Sequence, residues 1–231
     1  MNIKISIPAL LMALALGAGC SAAASAQDNN TVRLGMYALF WHTSADDVTG
    51  PFVPPGLKAD VGNVQTVYLA YVRRLSTHFD LEFAAGVPPK TDTIAKGPTT
   101  VGSVPWNGQV IGTVKWFSPT LLLHYKFFDE SASLRPYIGL GVNFTHFFDR
   151  TINAAGDAAL GGPTSVELKN SIGPAATLGL YYHVRDHWSV IASLSASEVG
   201  SKLEAHTAGL VRKTSVEFNP HALVVAVGYS F

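Results

Sequence analysis

The stretch His221-Ala222-Leu223-Val224-Val225-Ala226-Val227-Gly228-Tyr229-Ser230-Phe231 alternates large and small side chains with a period of two. Successive side chains of a β-strand point to opposite faces, so His221, Leu223, Val225, Val227, Tyr229 and Phe231 share one face and Ala222, Val224, Ala226, Gly228 and Ser230 the other. Leu134–Phe148 repeats the pattern, with Ile138, Leu140, Val142 and Phe144 on one side and Tyr137, Gly139, Gly141, Asn143 and Thr145 on the other. The glycine-bearing face suits the interior of a narrow eight-stranded barrel, and the bulky apolar face is assigned to lipid.

Composition agrees. The 231 residues are 48% hydrophobic and 14% charged, with a mean hydropathy of +0.23, whereas a soluble domain carries about 25% charged residues. Beyond the first 26 residues, however, nothing approaches the roughly 18 apolar residues of a membrane helix. The stretch Ala222–Val227 is six long. A closed β-barrel is the other structure that satisfies its backbone inside a bilayer. The 16 basic and 16 acidic residues balance, which argues against a nucleic-acid partner.

The remaining periodic segments complete the set. Eight strands are predicted, at Thr31–Trp41, Asn63–Arg73, His78–Val87, Val114–Phe128, Leu134–Phe148, Ser171–Val184, His187–Ser197 and Phe218–Phe231. Links two-three, four-five and six-seven are short, ending in Arg185-Asp186. The other four, His42–Gly62, Pro88–Thr113, Asp149–Asn170 and Glu198–Glu217, run to about twenty residues each. This alternation of tight turns and long loops fits an outer-membrane barrel with periplasmic turns and extracellular loops; a soluble sandwich would scatter its loop lengths, and a periplasmic lipocalin-like binder would have a polar exterior. Trp41, Tyr71, Phe79, Tyr125, Phe127, Trp188 and Tyr229 are candidates for interfacial girdles.

Met1–Ala26 reads as a cleaved signal peptide, with Lys4 before the apolar run Ile5–Leu16 and an Ala24-Ser25-Ala26 cleavage site. A lipoprotein signal ending at Cys20 is the alternative, although Gly17-Ala18-Gly19 lacks the large aliphatic three residues before the cysteine. Removing Lys4 from the 16 basic residues leaves 15 against 16 acidic, and Cys20, the one cysteine, goes with it. The barrel is then expected at 27–231, in the outer membrane of a Gram-negative bacterium.

Several blocks resemble the outer-membrane protein W (OmpW) family of small barrels, which includes alkane-uptake relatives. They are Gly86-Val87-Pro88-Pro89-Lys90, Pro119-Thr120-Leu121-Leu122-Leu123, Arg135-Pro136-Tyr137-Ile138-Gly139-Leu140-Gly141-Val142-Asn143-Phe144-Thr145, Phe147-Phe148-Asp149, Gly173-Pro174-Ala175-Ala176 and Val225–Phe231. The first long loop departs from the pattern in its Pro-rich Gly50–Gly56, and Ser230 stands where members carry arginine. The resemblance implies a monomeric eight-stranded barrel that accepts small hydrophobic molecules and releases them sideways through its wall. The terminal Tyr229 and Phe231 resemble the aromatic signal read by the outer-membrane insertion machinery. Outer-membrane lipid and lipopolysaccharide are the remaining expected partners.

Parity places Arg33, Glu82, Lys126 and Arg135 in the lumen, either as an ion-selecting constriction or, the favoured reading, as a paired plug of the lower barrel. Tyr37, Leu39, Trp41, Tyr68, Leu122 and Tyr181 face inward as an apolar path toward the outer mouth, or simply as barrel filling. The eight histidines, His124 among them, read as surface or interfacial residues, and no metal or cofactor is expected. Ser197, Ser201 and His206 form no distinctive motif, so no enzyme is expected. A hydrophobe channel and a filled barrel displaying its loops to lipopolysaccharide, host or phage are the two functions that the sequence leaves standing.

Overall fold

The computed structural model describes residues 29–231, so the signal-peptide reading of Met1–Ala26 and Cys20 lies outside the described residues. In chain order the strands are β1 (Asn30–Phe40), β2 (Ser44–Ala45), β3 (Lys58–Val61), β4 (Val64–Arg74), β5 (Phe79–Gly86), β6 (Lys90–Lys96), β7 (Thr100–Val101), β8 (Val104–Pro105), β9 (Val110–Phe117), β10 (Thr120–Lys126) and β11 (Leu134–Ile152). A short helix α1 (Ala154–Leu160) follows, then β12 (Thr164–Leu168), β13 (Ser171–Arg185), β14 (Trp188–Ser197), β15 (Gly200–Thr207), β16 (Leu210–Glu217) and β17 (His221–Ser230).

Eight of these strands form the barrel, in the order β10-β5-β4-β1-β17-β14-β13-β11, and β11 pairs back with β10. All of these pairings are antiparallel. The two ends of the barrel sequence meet at one seam, where Asn30 N donates to Phe231 O at 3.1 Å and Phe231 N to Asn30 O at 2.8 Å. Closure leaves no free sheet edge, which is the condition for a sheet to sit in hydrocarbon.

Strand parity behaves as the sequence predicts. Leu223, Val225, Val227, Ile138, Leu140 and Val142 are all exposed, Leu140 by 72%, while Val224, Ala226, Asn143 and Thr145 are buried. At about 25 cal/mol per Å² of apolar surface, so large an exposed belt would be untenable in water and is satisfied by lipid. Near the short turns an aromatic ring of contacts girds the belt: Phe79 to Tyr125 at 5.3 Å, Tyr125 to Phe127 at 5.1 Å, and Trp188 to Tyr229 at 5.1 Å. Trp41 leaves the girdle; it packs inside against Trp116 and Phe218, with ring centroids 5.4 and 5.9 Å apart.

One expectation needs correction. The predicted fourth strand, Val114–Phe128, is broken at Ser118-Pro119 into β9 and β10. Proline has no N–H for the ladder, so the strand is interrupted there, although Pro119 O still accepts from Phe144 N of β11 at 2.9 Å. The four long loops carry strands of their own. They form a collar above the barrel mouth: β3, β6 and β9 extend from the outer half of β11, β12-β15-β16-β2 make a second sheet, and β7 and β8 pair as a small hairpin. Several exposed ion pairs decorate it. Lys115 lies 2.7 Å from Asp149 and Lys213 2.9 Å from Glu204, and each lysine holds its partner carboxyl below the ordinary range by hydrogen bonding and charge.

Candidate functional site

Just inside the outer mouth the barrel encloses a cavity, because small residues on β5, β13 and β14 (Ala84, Gly86, Ala175, Ser193) face large ones on β1 and β4. Five of the six path residues predicted from sequence line it: Tyr37, Leu39, Trp41, Tyr68 and Leu122. Tyr181 does not. Its ring lies lower, 5.3 Å beneath the Lys126 ammonium. Gly86 is required at its position, since a Cβ there would stand 2.6 Å from the Tyr37 ring and 2.8 Å from Val67 O.

The cavity has two kinds of wall. One is aromatic, with Tyr37 meeting Tyr68 edge-on at 6.4 Å. The other carries short polar side chains already committed to each other: Asn143 Nδ2 donates to Ser118 Oγ at 2.9 Å and to Thr120 Oγ1 at 2.8 Å, and Ser195 Oγ donates to Thr177 Oγ1 at 2.9 Å. Polar groups satisfied in this way demand little from a guest, so most of the surface offered is apolar, apart from the Glu82 carboxylate at the floor and Trp41 Nε1, which has no hydrogen-bond partner among the described residues.

Below the cavity lies the predicted charge cluster, and it is larger than the sequence reading had it. Arg33 and Glu82 form a buried ion pair, and Tyr68 donates its hydroxyl to Glu82 Oε1 at 2.6 Å. Lys126 Nζ lies 2.7 Å from Asp80 Oδ2. Arg135, the third cation, is met by backbone carbonyls of Thr77 at 2.7 Å, Phe128 at 2.6 Å and Phe127 at 3.2 Å. Three cations and two carboxylates thus fill the lower lumen. Asp80 was missed by the sequence reading although it shares the parity of Glu82. His124 corrects the reading of the histidines as surface residues, for it is 2% exposed and packs on the Tyr137 ring at 4.8 Å. Its parity with Leu122 and Lys126 carried that signal.

Above the cavity stands an aromatic partition. Trp41, Trp116, Phe147 and Phe218 belong to one apolar cluster. Trp116 and Phe218 are likewise inward by parity and were overlooked. The same cluster contains Leu39, which lines the barrel cavity, and Val114, which lines a second cavity in the collar.

The wall beside the cavity is discontinuous. The β5–β10 ladder ends at the pair Ala84–Thr120, and pairing resumes only at Lys90–Lys115 between β6 and β9. Across the gap stand Ala85–Pro89 and Trp116–Pro119, and Pro88, Pro89 and Pro119 supply no donors. Ala85, Gly86, Trp116 and Ser118 line the cavity from this gap.

The remaining candidates do not converge. Ser201 donates to Lys169 O at 2.7 Å, and His206, five positions on and so of opposite parity in β15, lies 3.9 Å from Glu204. Among the described residues no group of three or more His, Cys, Asp or Glu side chains is placed to hold a metal ion.

A closed eight-stranded antiparallel barrel with a lipid-facing apolar belt and aromatic girdle is an outer-membrane β-barrel protein. The chain belongs to the OmpW family, whose profile matches residues 29–231. It is similar to outer membrane protein W of Vibrio cholerae, 34% identical over 121 residues, which is 52% of this chain and 55% of the relative. The match thus spans little more than half of that relative. It is also similar to the dibenzothiophene metabolism operon protein PahQ of Pseudomonas aeruginosa, 23% identical over 201 residues, 87% of this chain and 88% of that one. Among solved structures it superimposes on OprG of Pseudomonas aeruginosa with a TM-score of 0.78 at 24% identity, covering 88% of this chain and 95% of that one. The outer membrane protein AlkL in lipid bilayers gives 0.63 at 19% identity, covering 94% and 97%. Both establish the fold. The outer-membrane location follows from the family.

Proposed function

We propose that this barrel is a passive conduit for small hydrophobic molecules of alkane or aromatic type, working as a single chain without a cofactor, and that cargo leaves sideways through the wall. The observation that carries the reading is the coincidence of three features at one height: an apolar cavity, a filled lumen beneath it, and a gap in the β5–β10 ladder at its side. A guest in the cavity meets five interior charged groups below but only the short, proline-interrupted wall at Ala85–Pro89 beside it. The apolar molecule moves toward hydrocarbon because that path never rehydrates it. The name of the PahQ relative associates that protein with the metabolism of dibenzothiophene, a compound of the same hydrophobic class. The plug makes a conducting ion pore the weaker alternative, since four of its charges are paired and Arg135 is held by backbone carbonyls rather than arrayed around open water.

Uptake of a labelled alkane or polycyclic aromatic by cells with and without the gene, in a strain whose outer membrane is otherwise tight, tests the proposal. Cells carrying the protein should take up the label faster, and Ala85→Phe, which fills the gap without touching the charge cluster, should return the rate to the background. Equal uptake with and without the protein would refute transport, and undiminished uptake by a folded Ala85→Phe barrel would refute the lateral route.

A further inference from the structure

The second cavity lies wholly in the collar, between its two sheets and α1, and its chemistry differs from that of the barrel cavity. Its walls include Leu57, Trp106, Ile111, Val166 and Leu203. Three cations line it as well, Lys58, Arg150 and Arg212, and no acidic side chain does. Lys58 has a partner in Asp47 at 3.4 Å, and both are half-exposed. Arg150 is exposed and donates to Leu168 O at 3.3 Å.

Arg212 is the exceptional member. It is 6% exposed, yet no carboxylate among the described residues lies within ion-pair distance. Nε donates to Pro51 O at 3.3 Å, and Nη1 to Leu160 O at 3.1 Å and Thr207 Oγ1 at 3.3 Å. These neutral acceptors fix the guanidinium in place but leave its charge unbalanced, and Nη2 has no hydrogen-bond partner among the described residues. A buried charge without a counter-charge is expensive, and an incoming anion relieves that cost. With Nε and Nη1 already engaged, Nη2 is left to donate to one oxygen of a carboxylate, a charge-assisted bond of one charge against one.

We infer that the collar cavity is a binding site for an amphiphilic monocarboxylate, a molecule with an apolar tail against the Leu57–Trp106–Ile111 wall and its carboxylate on Arg212. Such a site selects oxidised hydrophobes, acids rather than alkanes, before anything reaches the barrel. It stands apart from the conduit reading, because acid binding in the collar and alkane flux through the barrel are measured separately and either can fail alone.

Trp106 supplies the probe. Bromine quenches indole fluorescence only at close range, so 11-bromoundecanoate and its methyl ester are titrated into the full chain in lipid nanodiscs. The difference between this chain and its Trp106→Phe variant isolates the collar signal from membrane-partitioned ligand. The acid should half-saturate quenching at a concentration about tenfold below that of the ester, the size of one charge-assisted hydrogen bond. Arg212→Lys should keep part of that preference, and Arg212→Met should abolish it while leaving ester binding intact. Should Trp106 emission in Arg212→Met show that the collar has opened, the acid-to-ester ratio in the unmodified chain and in Arg212→Lys decides. Equal half-saturation by acid and ester in the unmodified chain would overturn the inference. So would an acid preference that survives in an Arg212→Met chain with unchanged Trp106 emission.

Discussion

The Tyr68 hydroxyl donates to Glu82 Oε1 at 2.6 Å, joining the aromatic wall of the cavity to the buried Arg33–Glu82 pair beneath it. One hydrogen bond therefore couples the floor on which a guest would rest to the charges that fill the lower barrel. The partners come from adjacent strands, β4 and β5, whose register sets Val72 opposite Glu82 and brings Tyr68, four residues along the same face, within reach.

Breaking that pair from one side should be costly. Glu82→Ala leaves Arg33 buried and uncompensated, and we expect a loss of about 3–5 kcal/mol, read as a lower urea midpoint for unfolding in lipid vesicles. Replacing both partners, Arg33→Met with Glu82→Gln, should recover most of it. Hydrophobe uptake at a temperature where the single variant is folded should be close to that of the unmodified chain. A change in ion selectivity without loss of stability would instead make the cluster a filter.

Gly139 makes room for the buried imidazole. A Cβ there would stand 2.3 Å from His124 Cδ2 and 2.8 Å from Thr177 Cγ2. Gly139→Ala should destabilise the barrel by about 1–3 kcal/mol through overpacking, and Gly139→Ala combined with His124→Ala should restore most of the loss. Urea titration of the three variants checks both statements.

Trp41 holds the partition between the cavities through its contacts with Trp116 and Phe218. Trp41→Ala should cost about 1–3 kcal/mol, less than a fully buried tryptophan because its side chain is half-buried. It should also widen the passage, so that uptake of a bulky polycyclic compound rises relative to that of a linear alkane. A fall in both rates would mean that the ring positions cargo rather than restricting it.

Phe231 has two separable roles. Its backbone closes the seam with Asn30, while its exposed ring makes no contribution to that pairing. Phe231→Ala should leave the urea midpoint of refolded protein nearly unchanged but lower the amount assembled in the outer membrane of cells, as expected if the terminal aromatic is read by the insertion machinery. Equal loss in both measurements would make the ring a structural element only.

Local periodicity made much of this legible. Because strand parity is a property of neighbouring residues, Leu223, Val225 and Val227 could be assigned to lipid and Arg33, Glu82, Lys126 and Arg135 to the lumen without knowing which strands pair. The same parity also marks Asp80, His124, Trp116 and Phe218 as inward, so the signal for each is present in the sequence. The collar was less visible: segments such as Lys90–Lys96 and Gly200–Thr207 are short and rich in Thr, Lys and Ser, and strands of that composition depend on a partner to be recognised.

By itself, then, the sequence determined the barrel, its strand count, the face each strand turns to lipid and the charge of its interior, since all of these follow from alternation and loop length. Only the tertiary structure decided what lies beside what. Arg33 meets Glu82 across 49 positions, Arg212 shares one collar cavity with Lys58 and Arg150, and Pro88 and Pro89 stand across one gap from Pro119 because the β5–β10 and β6–β9 registers bring them there. Register is fixed by hydrogen bonding between strands distant in sequence and by the packing of whole faces, and no local pattern encodes it.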